Sequence, residues 1–486
     1  MTEPTMPIAL PEGLLRTRYD APALSASVLY DLAQQNIPVV TDERDRAEHG
    51  RDWWPLSIGW VAHGEIPALP GAIVRPRTVA EVAATLSVAA KHRVAVTPQG
   101  GRSGVVGGAV PKTGGLALDL TSLNQILWVD ETSQTVSVEA GCFGPDLEAH
   151  LRPFGLTVGH FPQSFDLATV GGWLACRGAG QYSNRYGKIE DIVRGLTVVL
   201  ADGRIIETAG HGPRQAVGPD LTQLFVGAEG TLGVIVSATL ACQRVAEREA
   251  RAAYSFDTFA EGLEACRRIL QRGAHPAILR LYDETESKRN FEIERCALIV
   301  LDEGDRRLVK ATMKIVVDEC EKAQSEDVLL VERWLGHRND VGALAPLWQR
   351  GVVVDTIEIA GPWSALATVH ETVTDALRAL PDTVLASVHQ SHAYQDGACL
   401  YFTFVGRPAL EEEIEGYYRD AWNAASVAVM ASGCALSHHH GIGRNRARFV
   451  RDALGSGFSV LEGLKNLLDP HHILNPGVLG IGGESW

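Results

Sequence analysis

The stretch TPQGGRSGVVGGAVPKTGG, Thr97 to Gly115, carries glycine at 100, 101, 104, 107, 108, 114 and 115. Glycine costs chain entropy on folding, so a run this dense needs a backbone reason. Just before it, VAVTP reads as a strand. Before that, TVAEVAATLSVAAKH reads as an amphipathic helix, with Thr78 as N-cap and Glu81 three residues on. GAIVRP, further upstream, reads as another short strand. A glycine loop leaving a strand of a mixed α/β region is a common ligand-binding position. Its backbone N–H groups can turn inward around an anion, and a diphosphate matches such a nest in charge and donors.

Two more glycine clusters lie downstream: TVGGWLACRGAGQYSNRYG at 169–187 and FVGAEGTLGVIVSATL at 225–240. GGLALDL, ILWVDET and QTVSVEAG read as strands, and a helix is expected near PDLEAHLRPF. VRGLTVVLADGRIIET at 193–208 reads as a hairpin turning at Ala201-Asp202-Gly203. The familiar phosphate-binding patterns are absent: no G-x-G-x-x-G follows a strand, and there is no G-x-x-x-x-G-K-[ST]. A G-x-S-x-G elbow is missing too.

The chain has 486 residues, 45% of them hydrophobic, with a mean hydropathy of +0.00. This length predicts two or three domains. A net charge of -15 argues against general nucleic-acid binding, which needs a basic surface. Eight cysteines without a C-x-x-C pair predict reduced, buried thiols and a cytoplasmic protein. The N-terminal text has acid and proline where a secretory signal has base and apolar residues. No apolar stretch reaches membrane-spanning length, and the final Glu-Ser-Trp is no peroxisomal tripeptide of the SKL type. Residues 1–68 read as an irregular arm and 69–245 as the glycine-cluster region. Composition changes near Arg248, where REARAAYSFDTFAEGLEACRRILQRG reads as charged and helical. A second region of strands and helices runs over 246–430, and a final segment over 431–486.

That final segment contains ALSHHHGIGRNR, residues 435–446. Consecutive histidines in a strand alternate faces and rarely ligate one ion, and no H-E-x-x-H occurs. Tyr401 lies in an alternating apolar strand, where its ring can simply pack. Arg280, and Arg338 in GHRND, are candidate anchors for a carboxylate or phosphate. Tyrosine, histidine and arginine suit proton transfer and oxyanion stabilisation.

Taken together, PQGGRSGVVGG, TVGGWLACRGAG and VGAEGTLGVI resemble the flavin-binding segments of the vanillyl-alcohol oxidase / p-cresol methylhydroxylase superfamily. The resemblance implies an α+β fold: a two-lobed FAD-binding domain (69–245), an α+β cap over the substrate (246–430), and a C-terminal segment returning to the flavin (431–486). It implies that Pro98, Gly100, Gly101, Arg102, Ser103 and Gly104 wrap the pyrophosphate. Ser164, Thr169, Gly171, Gly172 and Arg177 would flank pyrophosphate and ribose, and Glu229, Gly230, Gly233 and Ile235 would lie along the cofactor. Arg102 stands where many relatives carry a small or polar residue, and a guanidinium beside a pyrophosphate is physically sensible. No histidine lies between Val94 and Gly108, so non-covalent FAD is expected.

Within the superfamily, SHHHGIG, DGACLYFTF, LRLYDE and HFPQSFDLATVGG resemble the alkyldihydroxyacetonephosphate synthase branch. The resemblance implies catalytic roles for Tyr401, His438, His439, His440, Arg280 and His160, with neighbouring histidines lowering the Tyr401 pKa. Flavin-dependent D-2-hydroxy-acid dehydrogenases of the superfamily use a metal. Here their second motif, His392 to Tyr401, is altered at its last ligand position, and His439 replaces an acid. No metal is therefore expected. The expected activity is an FAD-dependent oxidoreductase acting at a carbon bearing oxygen, on a small substrate that is anionic if an arginine anchors it. A transferase exchanging acyl for alkoxy without net redox is the alternative, and a non-catalytic flavoprotein subunit the further one. A homodimer is the oligomer considered.

Overall fold

The computed structural model describes residues 6–13, 16–209 and 212–483. The C-terminal tripeptide and the first five residues lie outside the described residues. The glycine loop connects two strands of one small sheet. Its order is Val39–Val40, Ala72–Val74, Leu116–Asp119, Val96–Gln99, and the last three run parallel. Parallel neighbours cannot be joined by a tight turn, so the chain must cross over. Here the crossover is the loop itself. The helix Val79–His92 packs on this sheet through Val82, Leu86 and Ala89. The Thr78 hydroxyl caps it by accepting from the Glu81 amide (3.2 Å), and left-handed Arg93 ends it.

A five-stranded antiparallel sheet follows, ordered Ile205–Glu207, Val193–Val199, Val234–Ala241, Thr135–Glu139, Ile126–Asp130. The hairpin expected at 193–208 forms its edge. The third sheet is antiparallel and seven-stranded: Gln324–Glu326, Arg248–Phe256, Cys296–Gly304, Ile278–Tyr282, Thr383–Ala393, Gly397–Gly406, Val353–Pro362. Helices Phe259–Gln271, Trp363–Arg378 and Ile414–Ala431 bury Leu263, Leu366, Val373 and Trp422 in its core.

The structure corrects two readings. Only the second half of REARAAYSFDTFAEGLEACRRILQRG is helical; Arg248–Phe256 is an inner strand. Pairing with the apolar strand Cys296–Gly304 overrides the local charge. The N-terminal arm is also more ordered than its text suggests. It forms helices Ala26–Gln34, Glu43–Glu48 and Pro55–Ala62, and Trp54, Leu56 and Ile58 join the core of the seven-stranded sheet. The Trp54 indole donates to Tyr418 (2.9 Å), whose hydroxyl donates to buried Asp355 (2.6 Å).

The C-terminal segment runs back to the glycine loop. Leu474 bridges to Val96, and the Asn475 side chain donates to Gly108 and Glu229 carbonyls. Buried Lys465 fixes the turn, donating to Asp469, Leu474 and Thr231 at 2.6–2.8 Å. The chain's last stretch is thereby tied to the first and third glycine clusters.

Candidate active site

A cavity of about 910 Å³ opens between the glycine clusters and the seven-stranded sheet. Pro98, Gly100, Gly101, Arg102, Ser103, Gly104, Ser164, Thr169, Gly171, Gly172, Glu229, Gly230, Gly233 and Ile235 border it. Arg280, Tyr401, His160, His439 and His440 line the same space. Two expected site residues do not. Arg177 pairs with Glu190 (3.4 Å), and the ring nitrogens of His438 face His439 and Tyr394 instead (2.9 and 2.8 Å). The Arg102 guanidinium faces the His49 ring (2.9 Å).

The loop is built for close backbone approach. A Cβ on Gly100 would come within 2.3 Å of the Thr169 hydroxyl, and one on Gly101 within 1.8 Å of the Leu167 carbonyl. A Cβ on Gly104 would meet no atom of the described residues within 4 Å. Thr169 also caps the short helix Val170–Ala175, its hydroxyl accepting from Gly172 (3.3 Å). Deeper in, polar atoms are buried without partners among the described residues: both ring nitrogens of His160, the Trp173 indole N–H and the Gln181 amide oxygen. Such orphans are rare in proteins and call for a partner, whether a ligand or water. A long dinucleotide with donors and acceptors along its length fits this donor set and the bare loop. His160 is fully buried against Trp173, with ring centroids 4.8 Å apart. Burial pushes its pKa from the usual 6.5 down to about 3, so its imidazole is neutral.

The histidine run lies in a loop rather than a strand, and one carboxylate organises it. Glu358 Oε1 accepts from the backbone N–H groups of His438, His439 and His440 (3.2, 3.1 and 2.8 Å) and from the Ser437 hydroxyl (2.6 Å). Its other oxygen pairs with buried Arg446 and lies 3.4 Å from His440 Nδ1. Burial works against the charge, but Arg446 and His440 outweigh it and hold Glu358 well below the carboxylate range. Glu229 holds the backbone of the following residues, accepting from Ile442 and Gly443 amides (2.7 and 2.8 Å), although burial raises its own pKa to about 7.

Tyr401 accepts a hydrogen bond from the Thr356 hydroxyl (3.0 Å). Its ring stacks on His389 and meets His440 edge-on, with centroids at 4.9 and 5.5 Å. The expected lowering of its pKa does not occur. Burial, with Glu358 and Asp355 adding to it, pushes the phenol up. Tyr401 is thus a neutral hydroxyl, with its proton free to donate.

Arg280 is held by residues that were not anticipated. It donates to Tyr282 (3.2 Å) and to His389 Nε2 (2.7 Å), while His389 Nδ1 donates to Glu286 (2.8 Å). Burial works against the Glu286 charge, yet the hydrogen bonds from His389 and Ser387 and the nearby Arg289 hold the carboxyl below its usual range. This chain fixes the His389 tautomer and aims the guanidinium. Trp334 packs against it, 5.3 Å from the Arg280 guanidinium carbon and 5.9 Å from that of Arg338. Glu358 had one available signal, a carboxylate inside the largely apolar strand Val353–Pro362, whereas Glu286 lies in the charged helix Glu284–Phe291 and had none.

His392, Cys399, His438 and His439 form a second cluster, with ligand atoms all within 4.8 Å of one another. Imidazole and thiolate donors suit a borderline-soft ion such as zinc. The sequence reading expected no metal because tyrosine falls near the last ligand position; the fold sets Cys399 beside His392 instead.

The two-lobed fold with a glycine-lined groove, capped by a sheet carrying tyrosine, arginine and histidines, defines a flavoprotein enzyme. The FAD binding domain model matches residues 70–209, and the model of the C-terminal domain of FAD linked oxidases matches 245–479. The chain is 32% identical to the FAD-linked oxidoreductase YgcU of Escherichia coli (strain K12), covering 85% of this chain and 89% of that protein. It is 28% identical to the alkyldihydroxyacetonephosphate synthase of Caenorhabditis elegans, covering 93% and 83%. A crystallised alkyldihydroxyacetonephosphate synthase superposes with a TM-score of 0.79 at 25% identity, covering 95% and 87%. p-Cresol methylhydroxylase shares the fold, at TM-score 0.74 and 15% identity over 94% and 98%. The chain belongs to the FAD-linked oxidoreductase family. Among the described residues, no helix is long and apolar enough to cross a membrane.

Proposed function

We propose that this enzyme oxidises a small hydroxylated substrate, a hydroxy acid or alcohol, at the carbon bearing oxygen. The observation that supports this reading is convergence: the glycine-lined groove and Tyr401, His439, His440 and Arg280 all border one cavity. In this reading the bare amides of Gly100 to Gly104 hold the pyrophosphate, and Thr169 to Gly172 and Glu229 to Ile235 flank the rest of the cofactor. Bound FAD supplies the acceptor for the two electrons of the substrate. The loop offers no histidine, cysteine or tyrosine, which supports non-covalent attachment.

The protein's own groups then divide the work. Arg280, aimed by His389 and Glu286, anchors a carboxylate or phosphate through charge-assisted hydrogen bonds. Tyr401 donates to the substrate oxygen and orients it. His439 is a neutral imidazole, its pKa driven well below the usual value by burial and by His440 and His392. It can accept the hydroxyl proton as general base.

A second reading has its own support. One flank of the cavity is apolar, formed by Ile58, Leu344, Leu347, Val354 and Val405. Val354 and Val405 pair directly across two strands. Such a wall would receive a hydrocarbon chain, as the transferase alternative requires. The deciding experiment is anaerobic. Purified protein is mixed with hydroxy acids, alcohols and acyl-dihydroxyacetone phosphate while flavin absorbance is followed. Bleaching by a hydroxy acid or alcohol is expected. Exchange of acyl for alkoxy with no lasting bleaching would replace oxidation with the transferase reading.

A further inference from the structure

The N-terminal arm reaches the glycine loop from behind. Its helix Glu43–Glu48 is capped by Asp42, which accepts from the Arg44 and Asp45 amides (both 3.0 Å), and delivers His49 at its C-terminal end. His49 is buried and does not line the cavity. Gln99, the last residue before the loop, fixes its tautomer. The Gln99 amide nitrogen donates to the His49 and Ala109 carbonyls (2.8 and 2.7 Å), so its oxygen accepts from His49 Nδ1 (2.7 Å). Nδ1 therefore carries the hydrogen, and Nε2 keeps the lone pair. That lone pair faces two guanidinium groups, through Nη2 of Arg75 and Nη1 of Arg102, each at 3.2 Å.

The two arginines differ in what balances them. Arg75 pairs with Asp119 (3.1 Å), whose other oxygen is taken by the Thr121 amide and hydroxyl (3.0 and 2.7 Å). Nearby Glu48 is engaged by Arg51 (3.0 Å). Burial, with Arg102 beside it, pushes the His49 pKa from 6.5 down to about 4, so the imidazole adds no charge. Among the described residues, the Arg102 guanidinium has no carboxylate in ion-pair contact, and its Nε is buried without a hydrogen-bond partner. Arg102 is only 8% exposed, yet it lines the cavity. One positive charge is therefore left over at the loop. Guanidinium does not shed its proton, and a buried charge without a partner is costly.

We propose that Arg102 supplies the counter-charge for the FAD diphosphate and that His49, a residue of the arm, aims it there. Arg102 is the binding residue and His49 a positioning residue. The proposal rests on the reading that the glycine loop holds the pyrophosphate. A diphosphate takes charge-assisted hydrogen bonds from a guanidinium fork. His49 Nε2 engages Nη1 and leaves the Nε–Nη2 edge of the fork unused. The backbone supports the same reading. Arg102 has φ +53°, in the left-handed region that glycine enters freely and arginine does not. The arm holds it there, since the Trp53 amide donates to the Arg102 carbonyl (3.2 Å). A strained arginine among unstrained glycines gives the loop what bare amides lack, a full positive charge.

The test needs no substrate. Full-length protein is stripped of flavin, and its affinities for FAD and for riboflavin, which lacks the diphosphate, are measured by fluorescence titration. Arg102→Met keeps the stem and removes the charge. Its FAD affinity should fall at least about tenfold while riboflavin affinity stays within about twofold of the parent's. His49→Phe keeps a buried ring and removes the lone pair, and it should show the same selective loss; His49→Leu gives the same comparison if the Phe variant does not fold. In the double variant, FAD affinity should match that of Arg102→Met alone, because His49 acts only through Arg102. Parent-like FAD affinity in Arg102→Met would overturn the proposal. So would equal weakening of FAD and riboflavin, the mark of a merely structural role, or losses that multiply in the double variant. A parent protein that holds riboflavin as tightly as FAD would instead defeat the pyrophosphate reading of the loop, and the proposal with it.

Discussion

Glu358 stands directly opposite Tyr401 across the antiparallel strands Val353–Pro362 and Gly397–Gly406. Directly opposed residues project from the same face of a sheet, so the carboxylate that organises the histidine loop and the tyrosine beside it share one rigid support. Glu358→Gln keeps an acceptor for the three amides but leaves Arg446, fully buried, without its counter-charge. Breaking a buried pair from one side costs about 3–5 kcal/mol. A clear fall in melting temperature and in kcat is expected. A variant with the parent's melting temperature and turnover would show that the carboxylate's charge organises nothing.

Tyr401→Phe removes one hydroxyl and keeps the stacking on His389. Loss of an acid–base or orienting group costs roughly 10²–10⁴-fold in rate. The variant should purify with a full complement of flavin and turn over at least about a hundred times more slowly. Its flavin content and anaerobic reduction rate are the measurements. An unchanged reduction rate would remove Tyr401 from the chemistry.

Arg280→Lys retains the charge but loses the fork that reaches both Tyr282 and His389. Lysine is a compact point charge and does not replace a planar guanidinium. For an anionic substrate, KM should rise about tenfold or more while kcat changes less, a loss of roughly 1.4 kcal/mol or more in binding. An uncharged alcohol analogue should be nearly indifferent to the change. Equal effects on charged and uncharged substrates would mean that Arg280 holds the sheet rather than the ligand.

The glycine-lined groove was legible because close backbone approach forced it into local sequence. Loops that must approach closely need glycine, and three such clusters survive as text at 97–115, 169–187 and 225–240. The helix Val79–His92 was legible for a similar reason, since cap and apolar face are both local. Arg248–Phe256 was not, because its partner strand lies about fifty residues away and decides its conformation. Glu286, His389 and Glu358 were missed on the same principle. Each acts through residues remote in sequence, and neither a buried glutamate nor a lone histidine says what it touches. Cys399 entered the metal question only when the strand register set it opposite His392.

Gly101→Ala tests the groove itself. The added methyl would collide with the Leu167 carbonyl, a backbone atom that cannot rotate away. The loop must shift, and the amides that face the cavity shift with it. The variant should fold yet lose most of its yellow colour, with FAD affinity down at least tenfold by fluorescence titration. In the parent protein, acid precipitation should leave the flavin in the supernatant. Colour retained in the acid pellet would show covalent attachment, and full FAD affinity in Gly101→Ala would place the cofactor elsewhere.

His160 gives a prediction that does not depend on turnover. In the folded chain its imidazole stays neutral down to about pH 3, because burial opposes the charge. In the unfolded chain it protonates near the ordinary 6.5. Below that pH the unfolded state binds a proton that the native state refuses, so His160 makes stability fall as the solution is acidified from about 6.5 towards 3. Other groups titrate in the same window, among them His438 and the buried carboxyls of Glu229 and Asp52, whose pKa values are raised to about 7. Absolute slopes therefore mix many protons, but a difference between two proteins isolates one. His160→Gln cannot take up that proton in either state. Its unfolding free energy should decline less steeply than the parent's between about pH 6 and 4, by about 1.4 kcal/mol per pH unit. Denaturant titrations at several pH values measure both slopes. Parallel curves would mean that His160 is already charged or solvated in the native protein, and the neutral, ligand-facing imidazole argued for above would be lost with it.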